Sequence, residues 1–110
     1  MTQDLIDRAV FEELQEAMGP EFAAELLDTF LGDATNMFAD LEQAASDQDA
    51  DGYRRGAHSV KSNAQTFGAT ALADQARTME LSGTIDIMAI TALKSTFDGT
   101  AQALEALKDG

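Results

Sequence analysis

The residue types best able to do chemistry gather in one stretch, Ala57-His58-Ser59-Val60-Lys61-Ser62-Asn63-Ala64-Gln65. His58 is the only histidine of the chain. An imidazole can act as nucleophile, proton carrier or metal ligand near neutral pH, and a hydrogen bond to one ring nitrogen decides what the other does. Residues three, four and seven apart share a helix face. On that spacing Arg54, Arg55, His58, Lys61, Ser62 and Gln65 make one polar stripe, while Tyr53, Ala57, Val60, Ala64 and Phe67 make a separate apolar row. The imidazole therefore belongs beside the buried seam and not in it. Lys61 follows one turn later, about 4.5 Å along the axis, near enough for its ammonium to stabilise a phosphoryl group on the ring. Ser62 is small and leaves the ring accessible. A histidine nucleophile also needs its second nitrogen held, and Glu80 on the next helix is a candidate acceptor. The plainer alternative is a surface histidine on a solvated helix face.

Other chemistries fall away. The eight glycines are scattered and form neither a phosphate loop nor a dinucleotide fingerprint, and no Gly-x-Ser-x-Gly elbow occurs. With one histidine and no cysteine, a zinc site would have to rest on carboxylates. Asp47-x-Asp49-x-Asp51-Gly52 matches the opening of an EF-hand loop, but the twelfth position, which needs a bidentate carboxylate, falls on His58. A capping turn is the better reading. Haem ligation by His58 and one of five methionines is disfavoured, because methionines at helical spacing fill cores and His58 faces away from the seam. No cofactor and no metal are expected on this chain, so any phosphoryl group must come from elsewhere.

Composition bounds the rest. At 110 residues and 45% apolar content, one folded domain spanning 1–110 is expected. The absence of cysteine suits a reducing compartment. No apolar run approaches a membrane span, and Met1 to Arg8 lack the layout of a signal peptide, so a cytoplasmic location is expected. Twenty acidic against seven basic residues give a net charge of −13, which disfavours nucleic acid and anionic membranes as partners. Three of those seven basic residues, Arg54, Arg55 and Lys61, lie on the stripe of His58. Such a positive spot on an acidic body suits a small anion or an acidic pocket on a partner; simple solvation of a helix is the alternative.

The elements that must position the stripe are helices, because apolar residues recur at spacings of three and four without strand alternation. Asp7 can cap a short first helix carrying Val10, Phe11, Leu14 and Met18, which ends at Gly19-Pro20. A second helix from about Pro20 to Ala45 presents Phe22, Leu26, Leu27, Phe30, Leu31, Ala34, Met37, Phe38, Leu41 and Ala45 inward. After an acidic turn, a third helix from about Asp49 to Phe67 carries the stripe and stops at Gly68. Thr70 can cap a fourth helix, about Ala71 to Leu81, with Leu72, Ala76 and Met79 inward. A fifth, about Asp86 to Lys108, buries Ile90, Leu93, Phe97, Leu104 and Leu107. Short connections imply antiparallel neighbours. The fold class is all-α: an antiparallel up-down four-helix bundle with an additional short N-terminal capping helix.

Ala57-His58-Ser59-Val60-Lys61-Ser62, followed by Phe67-Gly68-Ala69, Leu72 and Met79-Glu80, closely resembles the signature of histidine-containing phosphotransfer (HPt) domains, roughly A-H-x-L-K-G/S and then G-A, a leucine and L-E. The resemblance extends to the order and lengths of the helices. It implies a phosphorelay intermediate in which His58 accepts a phosphoryl group from a receiver-domain aspartate of a response regulator, or from a histidine kinase or hybrid kinase, and passes it on. It places Lys61 near the phosphoryl group and Glu80 on the second ring nitrogen. Arg54, Arg55, Ser62 and Gln65 would then face the partner, and the Mg2+ of the reaction would sit on the receiver. Ser62, Val60 and Met79 stand where the family more often has glycine, leucine and leucine. A filled core suggests a monomer, and Met1 with a complete set of helices favours a free-standing protein. The rival function is a helical scaffold that docks on receiver domains without relaying phosphate.

Overall fold

A computed structural model describes residues 5–109 and contains five helices and, among those residues, no strand. They are α1 (Arg8–Met18), α2 (Pro20–Ser46), α3 (Ala50–Thr66), α4 (Thr70–Ser82) and α5 (Ile87–Asp109). Most boundaries have a local cause. Asp7 Oδ1 accepts from the Ala9 amide and Asp49 Oδ1 from the Gly52 amide, so both aspartates cap as their positions suggested. Asp86 does the same for α5, accepting from Met88 and Ala89. Gly19 ends α1 at φ +89° with Pro20 opening α2, and Gly83 ends α4 in the left-handed region.

α2 packs against α3 and α5, α4 packs against α3 and α5, and α1 lies across α2 and α3. Two ion pairs, Asp28–Lys108 and Glu42–Lys94, pin both ends of the α2–α5 contact and show that these two helices run in opposite directions. The core is a single cluster. Phe30 stacks on Phe67 at 5.2 Å, while Phe97 meets Phe30 and Phe38 edge-on. Beneath the stripe the buried residues are smaller: Ala57, Val60 and Ala64 on α3, and Ala73 and Ala76 on α4. Small side chains let α3 and α4 pack closely and along much of their length. Gly56 does the same toward α2, where an added Cβ would come within 2.9 Å of Leu41 Cδ2.

Three expectations need correction. Met18 and Phe22, read as inward, are 43% and 46% exposed; they flank the α1–α2 turn, beyond the end of the seam. Thr70 does not cap α4 but is its first residue, after Ala69. The capping role belongs to the chain before α1: the Leu5 carbonyl accepts from the Ala71 amide, and the Asp7 amide donates to the Gly68 carbonyl at 2.7 Å. Orphan groups at the head of α4 are thus satisfied from a distant segment, which no local motif signals. On the other flank the buried Tyr53 hydroxyl donates to the Asp86 carbonyl at 3.2 Å, tying α3 to the α4–α5 connection.

The α3–α4 turn depends on Gly68, whose φ is +75° and whose missing Cβ would stand 2.6 Å from the Asp7 carbonyl oxygen. Gly83 has the same φ with nothing within 4 Å. Gly68→Ala should therefore cost roughly 2 kcal/mol or more and Gly83→Ala about 1 kcal/mol. Urea unfolding of the two variants checks the order, and equal losses would show that the Asp7 contact does not matter.

Candidate functional site

His58 sits mid-way along α3 with its side chain 55% exposed. Its partners are more sheltered: the Lys61 side chain is 20% exposed and that of Glu80, on α4, 15%. Met79 is buried, which fixes the face of α4 and leaves the next residue, Glu80, at the helix edge toward α3. From there one carboxylate spans two groups of the other helix. Glu80 Oε2 lies 2.8 Å from His58 Nδ1, and Oε1 lies 2.7 Å from Lys61 Nζ. His58 and Lys61, which the spacing puts on one face, and Glu80, the candidate acceptor from the next helix, are therefore one connected cluster.

The cluster has a definite protonation pattern. Contact with the Lys61 ammonium lowers the Glu80 carboxyl below its ordinary value of 4.5, partial burial opposes this, and contact with His58 lowers it further. Glu80 is accordingly a carboxylate at neutral pH and only accepts hydrogen bonds. When the ring is neutral, the proton must then be on Nδ1, donated to Glu80, and the lone pair on Nε2. That nitrogen is the one left free to react. A ring held this way can form a bond at Nε2 and place the resulting positive charge against Glu80.

The stripe itself is less positive than its composition suggests. Asp51, one turn before, holds both arginines: Arg54 Nη2 at 2.7 Å and Arg55 Nε at 3.0 Å. The Arg54 hydrogen bond is the largest of the influences that keep the Asp51 carboxyl below its usual range. Spacings of three and four from Asp51 could have revealed this pairing in the sequence. The isolated positive spot expected there is thus largely offset, by Asp51 for the arginines and by Glu80 for Lys61. Ser62 and Gln65 are exposed on the same face as His58. On the α2 side, a shallow cavity of about 360 Å³ is lined by Asp40, Gln43, Asp47, Asp49, Arg55 and Ser59. The aspartates of the EF-hand-like turn are engaged as caps and partners: Asp47 accepts from Gln43, Asp49 caps α3 and Asp51 binds the arginines.

Residues 25–110 match the family model described as Hpt domain. The chain belongs to the Hpt domain family. This Hpt domain also matches the crystal structure of histidine-containing phosphotransfer protein B (HptB) from Pseudomonas aeruginosa PAO1, with a TM-score of 0.89 and 26% identity over 98% of this chain and 97% of that one. The structural likeness takes in α1, which lies ahead of the residues matched by the family model. No curated protein matches this Hpt domain in sequence. Its function is histidine phosphotransfer in a phosphorelay.

Because the Glu80 carboxyl is lowered on folding, the stability it contributes is complete above the unfolded value of 4.5 and is lost as pH falls through the lower folded value. Glu80→Gln should remove that acid-side dependence. It should also release the tautomer, so that nitrogen-15 shifts of neutral His58 move from almost all Nδ1–H toward a mixture. Unchanged ring shifts in the variant would mean that Glu80 does not set the tautomer.

Proposed function

We propose that His58 is the phosphorylated residue of this Hpt domain, attacking through Nε2. One observation carries the reading: Nδ1 is held by an ionised Glu80 while the exposed ring leaves Nε2 open. In the forward step the Nε2 lone pair attacks the phosphorus of a receiver phospho-aspartate. The P–O bond breaks, its electron pair returns to the aspartate carboxylate, and the ring becomes a phosphorylated imidazolium whose Nδ1–H faces Glu80. Phosphoramidate and acyl phosphate are both high-energy linkages, so the step can run in either direction.

The domain's own contribution is presentation, with the correct tautomer, local charge and clearance, while the receiver supplies Mg2+ and most of the transition-state stabilisation. The domain has no cofactor of its own in this scheme. Its partners are response-regulator receiver domains and a histidine or hybrid kinase, met by a face comprising Arg54, Arg55, Ser62 and Gln65. For the arginines to bind a partner, they must exchange Asp51 for it. We read residues 1–110 as one unit, with α2 to α5 as an up-down four-helix bundle and α1 as its cap, acting as a cytoplasmic monomer.

A phosphotransfer assay with a panel of phosphorylated receivers and kinases, following acid-labile, base-stable label, tests the reading. His58→Gln should abolish labelling with helicity unchanged by circular dichroism, because the position is exposed. Lys61→Ala should slow transfer or shorten the lifetime of the phosphohistidine by roughly tenfold, the scale of one lost charge-assisted hydrogen bond. Ser62→Leu should block exchange by bulk alone. Label retained in His58→Gln would reject the assignment, and receiver binding without any exchange would favour the scaffold.

A further inference from the structure

Seven basic side chains are set in a chain of net charge −13, and their pairings are uneven. Arg8 pairs with Glu12, Arg54 and Arg55 with Asp51, Lys61 with Glu80, Lys94 with Glu42 and Lys108 with Asp28. Among the described residues, Arg77 is the one basic side chain that makes neither an ion pair nor a hydrogen bond. It is exposed, and it lies on α4 three residues before Glu80. That spacing puts it on the same side of the helix, with Cβ atoms about 5–6 Å apart. The one basic side chain left uncommitted among the described residues therefore neighbours the carboxylate that holds the reactive ring.

The charge at the site makes this placement consequential. Glu80 offsets Lys61, and Asp51 offsets the arginines one turn away. Aspartates line the α2 side. A phosphoryl group on Nε2 brings negative charge into surroundings with no spare positive charge on α3, beside a carboxylate that repels it. Arg77 approaches from α4, and a guanidinium can donate two parallel hydrogen bonds to phosphoryl oxygens.

We infer that Arg77 is a phosphoryl-binding residue of this Hpt domain, reaching across from α4 to the group transferred to His58. The inference rests on the proposed role of His58. Arg77 has no acidic partner to give up, so binding costs it only side-chain ordering, whereas Lys61 must first loosen its contact with Glu80.

Phosphoramidate, a small donor that needs no protein partner, tests this. Nε2 attacks its phosphorus, the P–N bond of the donor breaks, ammonia leaves and the phosphoryl group stays on His58. Arg77→Ala should lower the rate of His58 labelling, or the lifetime of the phosphohistidine, by roughly threefold to tenfold. Arg77→Lys should restore most of the effect, Arg77→Glu should deepen it, and the remote Lys94→Ala should match the wild type. The loss should shrink at high salt. Wild-type rates and lifetimes in Arg77→Ala would overturn the inference, as would slowing seen only with a receiver, which would make Arg77 a docking contact. If the wild-type domain takes no label on His58 while remaining folded, the proposed role of His58 fails first and the inference with it.

Discussion

The site depends on one carboxylate shared between two groups. Glu80 touches His58 Nδ1 and Lys61 Nζ at once, and it does so from a different helix. Its value is therefore as much geometric as electrostatic: α3 and α4 must hold a fixed separation and register for a side chain as short as glutamate to reach both. The alanines buried on the two helices permit that separation, Gly68 turns the chain between them, and the segment before α1 fastens the turn. Residues far from the chemistry thus set the orientation of the ring.

Charge on the surface follows a similar economy. The acidic excess is large, yet most cations are paired locally with a carboxylate that offsets their charge. Exposed pairs of this kind add little to folding stability. Their effect is on recognition: a partner that displaces Asp51 from its two arginines must offer acceptors in matching positions. This favours selection by contact geometry over long-range attraction.

The five helices were legible because their periodicity is clean and their stops use glycine, proline or aspartate. His58, Lys61 and Glu80 were legible as a group because spacing put two of them on one face and the family signature named the third. Three kinds of feature leave no such trace in the sequence. Phe22 and Met18 carry the right periodicity but flank the α1–α2 turn and stay partly exposed, a fact that only tertiary arrangement supplies. The capping of α4 by Leu5 joins residues 5 and 71, and contacts at that distance leave no local trace. The Asp51 pairing is different: its spacing is present in the sequence, but among twenty acidic residues spacing alone does not mark which carboxylate an arginine takes. Arg77 has no local signature either, since a lone arginine is distinguished only by the partners that the other basic side chains have.

Tyr53 is the only tyrosine in a chain without tryptophan. It is buried on the helix that carries His58, five residues away, with its hydroxyl on the Asp86 carbonyl. Burial raises its phenol above the usual value of 10.0, with the Asp86 hydrogen bond pulling the other way. The near-ultraviolet absorbance and fluorescence of the domain therefore come chiefly from one ring at the junction of α3 with the α4–α5 connection. The molecule carries its own optical reporter at that junction, with no extrinsic label needed to watch the packing of the histidine helix.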